Sequence, residues 1–146
     1  MTLATRLLYA PFLAQIVVTR RCNLRCAYCD EYDTSSEPVP IADLIERLGH
    51  LKRLGAFAVE FTGGEPLLNP GLFDAIGEAT RLGFVRRMLI TNASLLTADQ
   101  VAKLGRAGLT DVQVSLDGVE PSRSTAKVLR LRRRELELLK GAPFRV

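Results

Sequence analysis

Three thiols fall within eight residues, in the run Cys22-Asn23-Leu24-Arg25-Cys26-Ala27-Tyr28-Cys29. Thiolates this close can take three corners of one iron–sulfur cube. Most four-iron clusters use four cysteines. This chain has three, so one iron would keep an exchangeable position. Arg20, Arg21 and Arg25 add positive charge, which favours the thiolate form. A structural zinc site is the competing reading, but it wants four closed ligands. The single histidine, His50, lies in a helical pattern and reads as an ordinary helix residue. One cysteine alone would read as a small buried hydrophobe. An odd count packed into one loop is not a disulfide framework. It reads as reduced and intracellular, hence cytoplasmic.

Polar and glycine residues recur where apolar runs end. Gly63-Gly64-Glu65-Pro66 follows one run, Thr91-Asn92 closes the next, and Ser115-Leu116-Asp117-Gly118 closes a third. Singly, each has a plain structural reading as a turn, a helix cap or a strand end. Asp30, Glu31 and Asp33 read as a solvated loop.

The elements that must position these residues alternate strand and helix. The β-branched run 15–19 predicts a buried strand. Ile41, Leu44, Ile45, Leu48 and Leu51 predict an amphipathic helix ending near Gly55. Further strands are predicted at 57–62, 87–91 and 112–116. Asn69-Pro70 places a cap before a first-turn proline, opening a helix through Leu72, Phe73, Ile76 and Ala79 to Gly83. Thr97-Ala98-Asp99-Gln100 forms a capping box for a helix through Val101 and Leu104 to Gly108. A basic helix is predicted over 124–140, with Leu129, Leu136 and Leu139 inward and the arginines near 132 on its solvent face. Residues 144–146 start a fifth strand. Such alternation argues for parallel βα units.

At 146 residues the chain predicts one domain. Its 47% hydrophobic and 25% charged residues are those of an ordinary globular protein. Net charge is +4, but aromatics are 6% and tryptophan is absent, so nucleic-acid binding is not expected. No run reaches the ~18 apolar residues of a membrane span. The apolar N-terminus is broken by Arg6, Pro11 and Gln15 and does not read as a signal peptide. Leu3, Leu7 and Leu8 suggest a short helix capping the end of a barrel.

Cys-x3-Cys-x2-Cys with an aromatic before the last cysteine resembles the signature of the radical S-adenosylmethionine superfamily. The Gly63–Pro66 motif, Thr91-Asn92 and Ser115–Gly118 match further family motifs, in order and at strand ends. The resemblance implies an α/β fold: about four βα units of a (β/α)6 partial TIM barrel, with an extension at 1–14 and a partial core domain at 15–146. It implies a [4Fe–4S] cluster on Cys22, Cys26 and Cys29, and S-adenosylmethionine chelating the open iron. Gly63 and Gly64 would let backbone approach the methionyl amine, with Glu65 adding an acceptor and negative charge. Asn92, Ser115 and Asp117 would bond the ribose or carboxylate, and Tyr28 would pack over the cluster or near adenine. The implied chemistry is one-electron cleavage to methionine and a 5′-deoxyadenosyl radical. That radical abstracts hydrogen from a substrate the sequence does not name, in oxidoreductase or transferase-like fashion. A ferredoxin or flavodoxin would donate the electron.

The chain departs from the family at Ala93, where glycine is usual, and at Glu120–Thr125, which lacks the family's Asp-x-x-Arg-Gly. It also ends as a fifth strand begins. An open sheet edge invites self-association or a partner chain. The expectation is a chain that assembles a cluster and turns over poorly alone. The alternative is a non-catalytic iron–sulfur or zinc module completed by a partner chain.

Overall fold

A computed structural model describes residues 10–30 and 33–146. The expected N-terminal helix through Leu3, Leu7 and Leu8, and Glu31 of the acidic loop, lie outside the described residues. Four parallel strands form one sheet in chain order: β1 (Leu13–Thr19), β2 (Ala58–Gly63), β3 (Arg86–Thr91) and β4 (Asp111–Val114). Helices α1 (Ile41–Arg53), α2 (Leu72–Arg81), α3 (Ala98–Ala107) and α4 (Leu129–Leu139) follow the strands in turn. Parallel pairing requires such crossovers.

The register explains which face is buried. Ile16, Phe61, Leu89 and Val112 share one row across the sheet, and all four are core residues. Leu44 and Leu48 of α1, Ile76 of α2 and Leu104 of α3 join them in the same core. Each such side chain contributes about 1.5–3 kcal/mol by leaving water. Gln15, Val17 and Gln113, one residue out of phase, remain exposed on the other side. No helix among the described residues is long and apolar enough to cross a membrane.

The Thr97 capping box forms with both of its hydrogen bonds, and Gly108 ends α3 in the left-handed region at φ 90°. Other expectations shift. β1 begins at Leu13, two residues before the predicted start. Gly71, not Asn69, caps α2. The buried Asn69 amide donates instead to the carbonyls of Val18 and Val39, at 2.8 and 3.0 Å, and stitches the end of β1 to the next loop. The predicted helix over 124–140 starts only at Leu129. Upstream, the Ser122 hydroxyl accepts from the amides of Ser124 and Thr125, and the Ser124 carbonyl accepts from Ala27. Hydroxyls that capture local backbone in this way compete with helix. The predicted fifth strand is reduced to one parallel bridge between Asp111 and Arg145.

Candidate cofactor site

At the carboxyl ends of the strands lies a cavity of about 110 Å³. Cys22, Cys26 and Cys29 line it with Gly63, Gly64, Thr91, Asn92, Ser115 and Lys127. Parallel α/β sheets build their sites at this end.

The cysteine loop is held by backbone. The Cys22 amide donates to the Asp33 carbonyl at 3.0 Å, and the Cys29 amide to the Cys26 carbonyl at 3.1 Å. Asp33 belongs to that loop and does not line the cavity. Its carboxylate accepts from the amides of Ser36 and Ser35, both at 2.7 Å, and the Ser36 and Ser35 bonds lower its pKa to about 2. At Cys22, burial raises the thiol pKa, and the charges of Glu65, Cys26 and Cys29 push the same way; the Leu24 amide opposes them. The expected lowering by arginines does not prevail there. Arg21 turns to Glu37 at 3.5 Å, and Arg20 and Arg25 are exposed.

Both glycines are demanded by neighbouring backbone. Gly63 sits at φ +146° against Thr19. A Cβ on Gly64 would lie 2.5 Å from the Arg20 carbonyl oxygen and closer still to that of Arg21. This contact lets the Gly64 amide reach the Thr19 carbonyl and the Glu65 amide that of Arg21, each at 2.9 Å. The end of β2 is thereby sewn to the start of the cysteine loop.

Glu65 departs from expectation. Its side chain turns inward, with 0% exposure, and does not line the cavity. One oxygen accepts from the Leu67 amide and the Thr91 hydroxyl, at 3.1 and 2.8 Å; the other accepts from the Asn92 amide at 2.9 Å. Burial raises its pKa, against the lowering effect of those bonds and of the Arg132 charge.

Asn92 and Ser115 do line the cavity. The Asn92 amide nitrogen donates to Asn23 Oδ1 at 3.0 Å and lies 3.9 Å from Cys22 Sγ, while its oxygen accepts from the Ser94 amide at 2.9 Å. Ala93 follows at φ 62°. Glycine would adopt that conformation freely, whereas alanine is strained there by about 1 kcal/mol.

Tyr28 and Asp117 face each other rather than the cavity. The Tyr28 hydroxyl donates to Asp117, as does Thr125 at 2.6 Å. Partial burial raises the Asp117 pKa, but the bonds from Thr125 and Tyr28 and the Lys127 charge outweigh it, and the net shift is downward. Lys127 lies 5.2 Å from the Tyr28 ring centroid and lines the cavity. Thr125 Oγ1 is 3.6 Å from Cys26 Sγ. The strap 117–128 thus crosses the cysteine loop and brings in Thr125 and Lys127, which sequence reasoning missed. Arg132 was also misplaced: it is 6% exposed, not on a solvent face. His50 is exposed beside Glu46 and does not line the cavity.

Among the described residues, no three His, Cys, Asp or Glu side chains converge as ligands of a single metal ion. A cube asks for something else, one thiolate per iron at separate corners. Three thiols around a common cavity, with glycine backbone and hydrogen-bonding side chains beside them, suit such a cluster and a small polar ligand.

Residues 16–140 match the Radical SAM superfamily. Among curated relatives, the PqqA peptide cyclase of Bradyrhizobium diazoefficiens is 35% identical over 113 residues, covering 75% of this chain and 30% of that protein. The GTP 3′,8-cyclase of Clostridium acetobutylicum is 36% identical over 107 residues, covering 70% and 34%. The chain thus spans about a third of the length of these relatives. Among solved structures, Streptococcus suis SuiB bound to S-adenosylmethionine superposes with a TM-score of 0.69 at 21% identity, covering 89% of this chain and 32% of that one.

Proposed function

The chain belongs to the Radical SAM superfamily, and on that premise we propose that its cavity holds a [4Fe–4S] cluster on Cys22, Cys26 and Cys29, with S-adenosylmethionine beside it. The chain then forms the cofactor-binding part of an enzyme that attacks a C–H bond of its substrate. One observation carries this reading. Three thiols, two glycines, Asn92, Ser115 and Lys127 meet in a single cavity at the carboxyl ends of four parallel strands.

When bound, the cluster and sulfonium supply one-electron chemistry that ends in hydrogen-atom abstraction; the protein supplies binding, orientation and electrostatics. Cys22, Cys26 and Cys29 would each hold one iron, leaving the fourth open to a ligand. The cavity-lining backbone of Gly63 and Gly64 offers carbonyl acceptors to an ammonium group. Lys127 offers a cation to a carboxylate, and Asn92 and Ser115 offer hydrogen bonds to hydroxyls. Asp117 and Thr125 of the strap, with Tyr28 of the cysteine loop itself, hold Lys127 over that loop. An electron donor of ferredoxin or flavodoxin type is the partner this chemistry requires.

The test is anaerobic reconstitution with iron and sulfide. About four irons per chain are expected, with brown colour, a cluster EPR signal that changes on adding S-adenosylmethionine, and 5′-deoxyadenosine formed under reduction. Cys26→Ala should abolish all of these. One zinc per chain, with neither iron nor colour, would instead establish the binding-module alternative.

A further inference from the structure

Arg132 stands apart from its neighbours on α4. Arg130, Arg133 and Arg134 are exposed, whereas Arg132 is 6% exposed. A buried guanidinium is costly unless it is paired and hydrogen-bonded. Its Nε donates to the Asn92 carbonyl at 2.8 Å, and a second nitrogen donates to the Leu131 carbonyl at 3.0 Å. The anion whose charge it feels is Glu65, which is fully buried. Between the two lies Asn92. Glu65 takes its N–H at 2.9 Å, and Arg132 takes its C=O at 2.8 Å.

We infer that Arg132 and Glu65 are paired positioning residues, which clamp the Asn92 backbone from both sides and so hold its side chain toward Cys22 and the cofactor cavity. The inference rests on the function proposed above and gives the glutamate of the Gly-Gly-Glu-Pro motif an internal task. Both clamp bonds are charge-assisted, the stronger kind. Neither charged group lines the cavity; both act through Asn92, which does. The next residue shows why a clamp is needed. Ala93 is held at φ 62°, and a strained backbone persists only where its surroundings over-determine it. Through Arg132, α4 also becomes coupled to the site.

The plainer possibility is that Arg132 only anchors α4. Two measurements separate the readings. The first is amide hydrogen exchange of the metal-free protein; the second is S-adenosylmethionine affinity of the reconstituted protein, with iron content as control. In Arg132→Met, exchange at Asn92 and Ala93 should rise about tenfold, as expected for losing one charge-assisted bond, with β1 and β2 unchanged. Affinity should fall about tenfold at unchanged iron content. Arg132→Lys should recover most of both. The double variant Glu65→Gln with Arg132→Met should lose less than the sum of the singles, because the second change removes the stranded charge. If Arg132→Met does not fold, Glu65→Gln carries the same comparison: it weakens the other clamp bond, so exchange at residues 92–93 should rise, and a wild-type rate there would overturn the clamp. Wild-type exchange at 92–93 and wild-type affinity, or loosening confined to α4, would overturn the clamp. A wild-type protein that takes up a cluster but binds no S-adenosylmethionine would sink the proposed function instead, and hydrogen exchange alone would then decide the clamp.

Discussion

Alanine in place of Gly64 should damage fold and site together, while the same change at Gly77 should stabilise the protein. At Gly64 the new methyl would lie 2.5 Å from the Arg20 carbonyl oxygen and nearer still to that of Arg21, whereas ordinary contact begins near 3.4 Å. The obstacles are backbone atoms, so no side chain can swing aside. The end of β2 and the cysteine loop must part by about 1 Å. That separation stretches the bonds from Gly64 to Thr19 and from Glu65 to Arg21, both 2.9 Å, each contributing about 1 kcal/mol. Overpacking costs about 1–3 kcal/mol. The gain from a stiffer unfolded chain, about 0.4–1 kcal/mol, is smaller, so a net loss of about 3 kcal/mol is expected. Gly77 lies inside α2, and a methyl added there would meet nothing within 4 Å. At that position alanine should add about 0.5–1 kcal/mol. Urea denaturation followed by circular dichroism measures both changes, and iron content after reconstitution reports the site. Cys22 is one residue from the displaced Arg21, and a 1 Å error in a site can cost about a hundredfold in function. A Gly64→Ala protein with full iron and unchanged stability would refute this account of the glycine pair.

Three further outcomes are expected. Asp111 accepts from Arg86 at 2.6 Å and Arg145 at 2.9 Å; burial raises its pKa, but bonds from Thr110 and Arg86 and the arginine charges lower it overall. A depressed carboxylate pKa stabilises the fold above the unfolded value of about 3.9 and ceases to do so as pH falls through the folded one. Asp111→Asn should therefore cost about 2 kcal/mol at pH 7 and markedly less at pH 3, and an equal deficit at both pH values would contradict the assignment. Thr97→Ala removes the hydroxyl of the α3 capping box and should cost about 1 kcal/mol, read as a lower Tm. Tyr28→Phe removes a donor to Asp117 while keeping the ring under Lys127, so trypsin should cut faster at the exposed Arg123 of the strap with little change in global stability.

Much of the fold was legible because local and global signals agree. Short β-branched runs alternate with helical stripes, and the Thr97-to-Gln100 box marks a helix start that the structure reproduces. The misses fall where side-chain hydrogen bonds chose between local options. Asn69 has the composition of an N-cap, yet its amide is spent on two carbonyls distant in sequence. Residues 124–128 carry helix-compatible spacing, but the Ser122 hydroxyl and the Ala27 amide draw them into a strap. Neither partner could be known before the chain was folded.

The site shows a sharper division. The cysteines, Gly63, Gly64, Asn92 and Ser115 were legible because a strand fixes where its end lies, and four strand ends in one sheet must gather. Spacing does not say which way an end residue turns, so Glu65 was placed toward the cavity when it faces Thr91 and Asn92. Arg132 differs, because its signal was present. Leu129, Arg132, Leu136 and Leu139 stand three, four and three residues apart, the spacing of one helix face. If Leu129, Leu136 and Leu139 point inward, Arg132 must point inward with them. Arginine is almost never buried without a partner, so a cation in an apolar stripe implies a buried anion nearby. The glutamate of the Gly-Gly-Glu-Pro motif was the acid at hand. Following the stripe rather than the charge of the run turns Arg132 inward from the sequence alone, toward the Asn92 backbone that Glu65 also holds.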